Sequence, residues 1–472
     1  MLSGSDSTER RFLHSTLASY AGQLLRLGVG FAAKMVLARL ILPDGFGVYE
    51  QALRLVTIAA AVRDLGLPYQ LMRDARRPYG TVLAFVLASG GVVTLALVLG
   101  APLTAVLTPE LPPVVRVFAL WVLLDGLAVV PRAYFERELR IGRLVGPEIG
   151  RGVVIAAVSI VLAWQGFGVW SLVIGDLAAA AVFAALVWGR ARGRMPLAID
   201  RSLLPDLLRR SAYLFQIWVL VQLVHYVDVY IVEAYRSTAI VGQYSRAYWI
   251  AFLVPLIVAP RAMLPALVAY RDDPERFAAA FRLGTVFLLT FQVTACYFLF
   301  LNAERTVEIL LGPGWPEAAS ILRILCFAPL LQVFTDLGGE VLKVRHEDRT
   351  WLGIMAVNLA ALLTAGVLLT RRYGAEGMAV ANLFLLGDLW MAWRMARIFG
   401  PRFRALLRDL ALVYLLPLPF FLTAAWLTPA GSWTRFAASA AAALAGWALL
   451  AHRFQGPYRS FFGELRAGAR QG

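Results

Sequence analysis

Five small or polar residues, Ser19, Gln23, Arg26, Gly30 and Lys34, recur at steps of 4, 3, 4 and 4 inside an otherwise apolar run. On a helix all five share one face. Such a stripe can bind an anion, because a guanidinium presents a planar fork of donors to phosphate or carboxylate oxygens and an ammonium adds a second positive charge. Arg26 stands near the middle of the run, too deep to reach an interface easily, whereas Lys34 lies close enough to one end to snorkel. A second stripe follows in Glu50, Arg54, Thr57, Ala61 and Asp64. Glu50 and Arg54 stand at i,i+4, so Arg54 either closes a local pair or joins the same cationic set. Arg63, next to the RDARR stretch, reads as a snorkelling or lipid-facing anchor. Gln222, His225 and Asp228 recur at steps of three. A histidine beside a carboxylate either carries a coupling proton, since its reference pKa lies near 6.5, or is a hydrogen-bonded packing residue. Asp64, just before Gly66 and Pro68, marks a helix break and is a further ion-coupling candidate.

The same inventory excludes other chemistries. Lys34 and Lys343 are the two lysines, and neither lies in a GxxxxGK[ST] phosphate loop. His14, His225, His346 and His452 are too scattered for an HExxH zinc site, and no GxSxG elbow occurs. Cys296 and Cys326 both fall in apolar stretches, which leaves no CxxC site and no disulfide framework. The expectation is a protein that is not an enzyme, with no catalytic set, no metal and no cofactor.

What must position these residues is a bilayer-spanning bundle. Of the 472 residues, 60% are hydrophobic and 16% charged, against about 25% charged in soluble domains. Apolar segments lie at roughly 14–41, 47–72, 80–104, 112–131, 147–165, 168–189, 211–234, 244–270, 282–301, 318–342, 351–370, 376–398, 408–428 and 434–451, about 14 transmembrane helices in an all-α polytopic membrane protein. With both termini cytoplasmic, the inner loops carry about four times as many Lys and Arg as the outer ones. That asymmetry accounts for most of the +15 net charge, so no nucleic-acid partner is implied. The polar N-terminus leads into a long charged-and-apolar segment rather than a short signal-peptide core, so no cleaved signal is expected. Arg26, Lys34, Arg54, Arg63, Arg116, Arg151, Arg261 and Arg323 lie within the segments. Each costs about 2.5–3.5 kcal/mol or more at a helix centre and should face a cavity or a partner. Arg116, Asp125, Glu148, Arg151, Asp176, Arg323, Glu340 and Asp388 share no stripe and are expected to pair between helices.

An internal repeat aligns Gly47, Tyr49 and Ala52 with Gly242, Tyr244 and Ala247 at a constant offset of 195 residues. Six helices separate the copies, which makes them parallel repeats about an axis along the membrane normal. The expected organisation is two pseudo-symmetric six-helix lobes, 1–190 and 211–400, joined by a basic connector, 191–210. Two C-terminal helices and a tail follow over 401–472. Leu203, Leu204, Leu207 and Leu208 give the connector either an amphipathic helical face on the interface or a plain basic loop. Pro255, Pro260 and Pro265 should kink the eighth helix, and Pro417 and Pro419 the thirteenth.

The ordered motifs also carry a family resemblance. VLARLILPDGFGVYEQALRLVTIAAAVRDLGLPYQLMRD (36–74), VDVYIVEAYRSTAIVGQYSRAYWIAFLVP (227–255), LPALVAYRDDPERFAAAFR (264–282) and LGPGWPEAASILRILCFAPLL (311–331) span most of residues 36 to 390. The chain resembles a Wzx-type polysaccharide transporter of the multidrug/oligosaccharidyl-lipid/polysaccharide exporter superfamily. Where that family often has glycine after the aspartate at 228, this chain has Glu233 and Ala234. The resemblance implies a flippase moving a polyprenyl-diphosphate-linked oligosaccharide to the outer leaflet of a bacterial cytoplasmic membrane by alternating access. It also implies polysaccharide polymerase and other assembly proteins as partners. The diphosphate then becomes the anion for Arg26, Lys34 and Arg54, with Gln23 and Ser19 as hydrogen-bonding neighbours, and His225, Asp228 and Asp64 become the ion-coupling candidates. An integral membrane glycosyltransferase or polymerase, and a drug exporter of the same superfamily, are the alternatives.

Overall fold

The computed structural model describes residues 28, 30–73, 76–138, 140, 142–253, 267 and 270–468, and all regular structure among them is helical. Nine helices or nearly continuous helix pairs are long and apolar enough to cross a membrane, at 79–106, 111–137, 142–164, 169–191, 215–235, 274–310, 348–373, 402–427 and 433–456. A tenth candidate is bent by 47° between its two halves, Ala318–Leu325 and Ala328–Val344. Four expected segments do not qualify. The first and eighth reach outside the described residues, and with them lie Ser19, Gln23, Arg26 and Pro255, Pro260 and Pro265. The second and twelfth are broken, at 65–66 and 382–385. Apolar side chains such as Val92, Leu99, Leu103 and Val106 are exposed along 79–106, a surface suited to hydrocarbon and costly in water.

The described residues divide into two compact units, Met1–Gly242 and Gln243–Gly472. In the first, a helical stretch α1 (30–40) leads into α2 (Pro43–Asp64), which opens with proline at its start after extended Leu42. That proline lacks only a donor that would be unpaired anyway. Helix α2 stops where Leu65 turns left-handed at φ 43°, and α3 (Leu67–Arg73) resumes beyond Gly66. Then come α4 (Tyr79–Gly100), α5 (Leu111–Phe118), α6 (Leu120–Arg137), α7 (Gly142–Trp164), α8 (Val169–Ala191) and α9 (Leu204–Tyr235). Helix α10 (Thr238–Ala251) carries the chain into the second unit. One core cluster joins Val48, Ala52 and Val56 of α2 to Leu111, Val115 and Phe118 of α5. Another joins Leu67, Leu71, Tyr79 and Val82 to Leu207 of α9.

Leu207 changes the reading of the connector. Residues 192–200 are non-helical, Arg201–Leu203 form a 3-10 turn, and from Leu204 the helix runs unbroken to Tyr235. Leu207 is buried in the core made with α3 and α4, and Leu208 packs partly buried against it. Helix α9, assigned by repeat counting to the 211–400 lobe, is counted with the first unit, since its polar side is bonded to α2. The compact units follow packing, whereas the offset of 195 is read from the sequence alone.

In the second unit α11 (Pro274–Leu310) is capped by Asp273, which accepts from the backbone N of Glu275 at 3.0 Å and of Arg276 at 3.1 Å. It kinks at Asn302, φ −125° and ψ 25°. There follow α12 (Ala318–Leu325), α13 (Ala328–Val344), α14 (Asp348–Tyr373), α15 (Ala375–Ala381), α16 (Leu386–Phe399), α17 (Arg402–Leu415), α18 (Leu418–Leu427) and α19 (Trp433–Gly468). The break between α17 and α18 falls at Pro417, as expected from a residue without a backbone donor. Helix α17 is bonded to α11 within this unit. Tyr297 of α11 donates to the Tyr414 carbonyl at 3.0 Å, and Arg282 of α11 lies 3.6 Å from Asp409. Asp388 accepts from Thr335 and from Asn358 Nδ2 at 3.0 Å, and Arg323 pairs with Glu304. The two cysteines are free thiols, buried with their sulfurs 3.7 Å apart.

Candidate functional site

Arg54 is the centre of the polar interior of the first unit. It is 5% exposed, and its Nη1 meets the carboxylate of Asp228, itself 1% exposed. The same Nη1 lies 3.3 Å from the His225 carbonyl and 3.4 Å from that of Tyr226, and Nε lies 3.8 Å from Glu50. The guanidinium also sits 5.4 Å from the centre of the Tyr226 ring. Asp228 accepts from the backbone N of Val229 at 2.8 Å, and Tyr230 Oη donates to the Gln51 carbonyl at 2.8 Å. Helices α2 and α9 are therefore joined by polar bonds inside an apolar surround. There a hydrogen-bonded charge pair is tolerated, whereas a lone charge would be expelled or neutralised.

A second carboxylate stands nearby. Tyr49 of α2 donates to Asp176 of α8 at 2.5 Å, and Asp176 is 6% exposed. Arg151 of α7, Lys34 of α1 and Glu50 of α2 act on it electrostatically. Lys34 is half-buried, and the Arg151 guanidinium lies 5.7 Å from the centre of the Phe183 ring. The described charges of this cluster are Lys34, Arg54 and Arg151 against Glu50, Asp176 and Asp228, a balanced set contributed by five helices. Tyr49, Arg151 and Asp176 were not grouped by sequence reasoning. The signal for the last two was a lone charge on an apolar span, and Tyr49 was marked only as a member of the repeat, with nothing in the spacing to pair it with Asp176, 127 residues away.

The expected residues distribute as follows. The i,i+4 pair of Glu50 and Arg54 is present, and Arg54 at the same time engages Asp228. His225 and Asp228 are not brought together. His225 is exposed with Nδ1 2.8 Å from the Val221 carbonyl, while Asp228 turns inward. Asp64 is gripped by Arg63, with Nε to Oδ1 at 2.7 Å and Nη2 to Oδ2 at 3.0 Å. Arg63 itself is no snorkelling anchor. It is 1% exposed and reaches into α6, bonding the Val122 carbonyl at 2.5 Å and Asp125 at 3.1 Å. Gly126 makes the room, since a Cβ there would stand 3.2 Å from Nη1. Ser19, Gln23 and Arg26 lie outside the described residues.

A family model described as "Polysaccharide biosynthesis protein" matches residues 36–320. The chain is 23% identical over 316 residues to the "Succinoglycan biosynthesis transport protein ExoT" of Rhizobium meliloti (strain 1021). That match covers 64% of this chain and 63% of the length of that relative, less than two thirds. Among solved structures the fold is similar to "Lipid II flippase MurJ, inward closed conformation", with TM-score 0.77 and 13% identity over 94% of this chain and 100% of that one. It is also similar to an inward-facing multidrug resistance MATE family transporter of the MOP superfamily, with TM-score 0.63 and 14% identity over 80% and 99% of the two chains.

Proposed function

Since this chain belongs to the polysaccharide biosynthesis protein family, we propose that it is a flippase that moves a polyprenyl-diphosphate-linked oligosaccharide from the inner to the outer leaflet of a bacterial cytoplasmic membrane. The observation that carries the reading is Arg54, a buried guanidinium on α2 paired with a buried carboxylate of α9, in a fold similar to that of a lipid II flippase. The Asp228 carboxylate occupies the side of Arg54 that a phosphate oxygen would take. Substrate entry then exchanges one anion for another, so the guanidinium is never left unpaired in apolar surroundings. Lys34 adds charge, and Arg26 with Gln23 and Ser19 extends the stripe from the first helix. The displaced Asp228 becomes free to take a proton or cation, with His225 three residues away on the exposed side of the same helix. Asp64, released from Arg63, would serve the same end.

We propose alternating access of the two six-helix lobes as the motion, and polysaccharide polymerase and other assembly proteins are the partners expected to act on the delivered glycan. The test is leaflet-resolved detection of lipid-linked glycan in cells. Depletion of the protein should hold the glycan on the inner side while its synthesis continues. Normal delivery to the outer leaflet without the protein would sink the assignment. Normal delivery with failure of chain growth would favour the polymerase alternative.

A further inference from the structure

Glu233 stands in the last turn of α9, 9% exposed, at a position where the resembling family often carries glycine. Its Oε1 lies 3.2 Å from Oγ1 of Thr108, just before α5, and 2.9 Å from Oγ1 of Thr238, at the start of α10. The two threonine oxygens are 2.6 Å apart. Three oxygens thus make three mutual contacts at hydrogen-bond distance. Each contact needs one hydrogen, and the two hydroxyls bring two. An ionised carboxylate brings none, so one contact would set lone pair against lone pair. A protonated carboxyl brings the third and closes the ring. The other carboxyl oxygen, Oε2, is buried without a hydrogen-bond partner among the described residues, a position costly for half of a negative charge and far less so for a neutral group.

We infer that Glu233 is a proton-binding site, neutral in this conformation, that ties the end of α9 to the start of α10 and to the turn before α5. The place gives the proton leverage. A Cβ on Gly47 would stand 2.0 Å from the Thr238 carbonyl, and a Cβ on Gly242 would stand 2.0 Å from the Pro43 carbonyl. The repeat offset carries Pro43 onto Thr238 and Gly47 onto Gly242, so these are one contact seen from both repeats. The ring of Glu233 clasps that contact, and loss of its proton removes a bond and leaves a buried charge there. Among the described residues no counter-charge acts on it. On α9 and beyond, Asp228 is held by Arg54 while Arg236 turns to the Tyr235 carbonyl at 2.9 Å. On α2 Glu50 faces Arg54 and Asp44 is exposed, and after Thr108 Glu110 is exposed. This inference rests on the flippase reading only for its direction, in which the ring exchanges its proton with the outer solution.

Infrared difference spectroscopy of the full chain in lipid vesicles, wild type minus Glu233→Gln, tests it without substrate. At pH 7 the wild type should show the C=O stretch of a protonated carboxyl that Glu233→Gln lacks, and raising the pH should convert it to carboxylate. Thr238→Val should shift the frequency of that band by removing a ring partner, a readout that stands even if Glu233→Gln folds poorly. Carboxylate bands from Glu233 at pH 7 would overturn the inference. So would loss of the protonated band on adding Na+ or K+ at fixed pH, which would make the site a cation site. If the band is present and no variant or condition gives glycan transport, the flippase reading falls and the proton site stands.

Discussion

Arg54 and Asp228 each neutralise what the other would cost the bilayer interior. Arg54→Ala should strand Asp228 and destabilise the fold by about 3–5 kcal/mol, the usual effect of removing one partner of a buried pair. Asp228→Asn should be milder in the folded yield yet leave Arg54 bound to carbonyls alone. Arg54→Ala combined with Asp228→Asn should recover much of the yield, read as thermal unfolding in detergent, without recovering glycan delivery. A double variant as active as wild type would remove the pair from the site. For Arg26 the expectation is different: Arg26→Ala should lower transport ten- to a hundredfold at unchanged abundance, since a charge-assisted bond contributes about 1.5–3 kcal/mol. Arg26→Lys should restore part of it, because an ammonium lacks the bidentate fork. The pairing of Glu50 with Arg54 was legible in the sequence because helical spacing alone brings them together. The pairing of Arg54 with Asp228 was not, because they are 174 residues apart in the chain and only packing decides which faces of α2 and α9 meet.

At the scale of elements, the glycines at the start of α2 and in α10 set how closely two helices approach. Gly47→Ala and Gly242→Ala should each cost about 1–3 kcal/mol by overpacking, since the atom in the way is a backbone carbonyl. Together they should cost less than their sum, because the first already parts the helices. A cysteine placed at Val241, fully buried in the native chain, in a background of Cys296→Ser and Cys326→Ser, should react faster with an impermeant maleimide in either variant. The loop between α13 and α14 offers a pH test. Glu347 accepts from Arg345 Nε at 2.9 Å and from Arg394 Nε at 2.9 Å. Burial pushes its pKa up, but those bonds outweigh it and hold the carboxyl below the ordinary range. A depressed carboxyl stabilises the fold above its unfolded pKa, about 4.3, and that contribution is lost as the pH falls through the folded value. Glu347→Gln should therefore lower the melting temperature at pH 7 and leave it nearly unchanged at pH 3. The break in α2 was readable from Gly66 and Pro68, and the one at Pro417 from its ring. The burial of Arg63 was not, because the slot that receives it is made by Gly126 on another helix.

For the whole molecule, the membrane class followed from composition and the repeat from one offset, but neither told which helix each unit would keep. The positive-inside pattern predicts that both termini and the loops of Arg73, Arg140, Arg192, Arg271, Arg345 and Arg402 face the cytoplasm. Cysteines at Ser202 and Glu347 should then be labelled only after the membrane is opened. Labelling of either from outside intact cells would refute the orientation. With no phosphate loop in the sequence, transport in purified vesicles should persist without ATP and respond to ion gradients or to potential. The balance of Lys34, Arg54 and Arg151 against Glu50, Asp176 and Asp228 has an electrical consequence. These described charges add no net charge to the return stroke of an empty carrier, which then moves only the charge of Arg26, and the loaded stroke adds the net anionic charge of the diphosphate moving outward. An inside-negative potential favours that stroke by about 2.3 kcal/mol per charge per 100 mV. Each proton carried outward with the glycan subtracts one unit, so the current per glycan delivered would count the coupling stoichiometry directly.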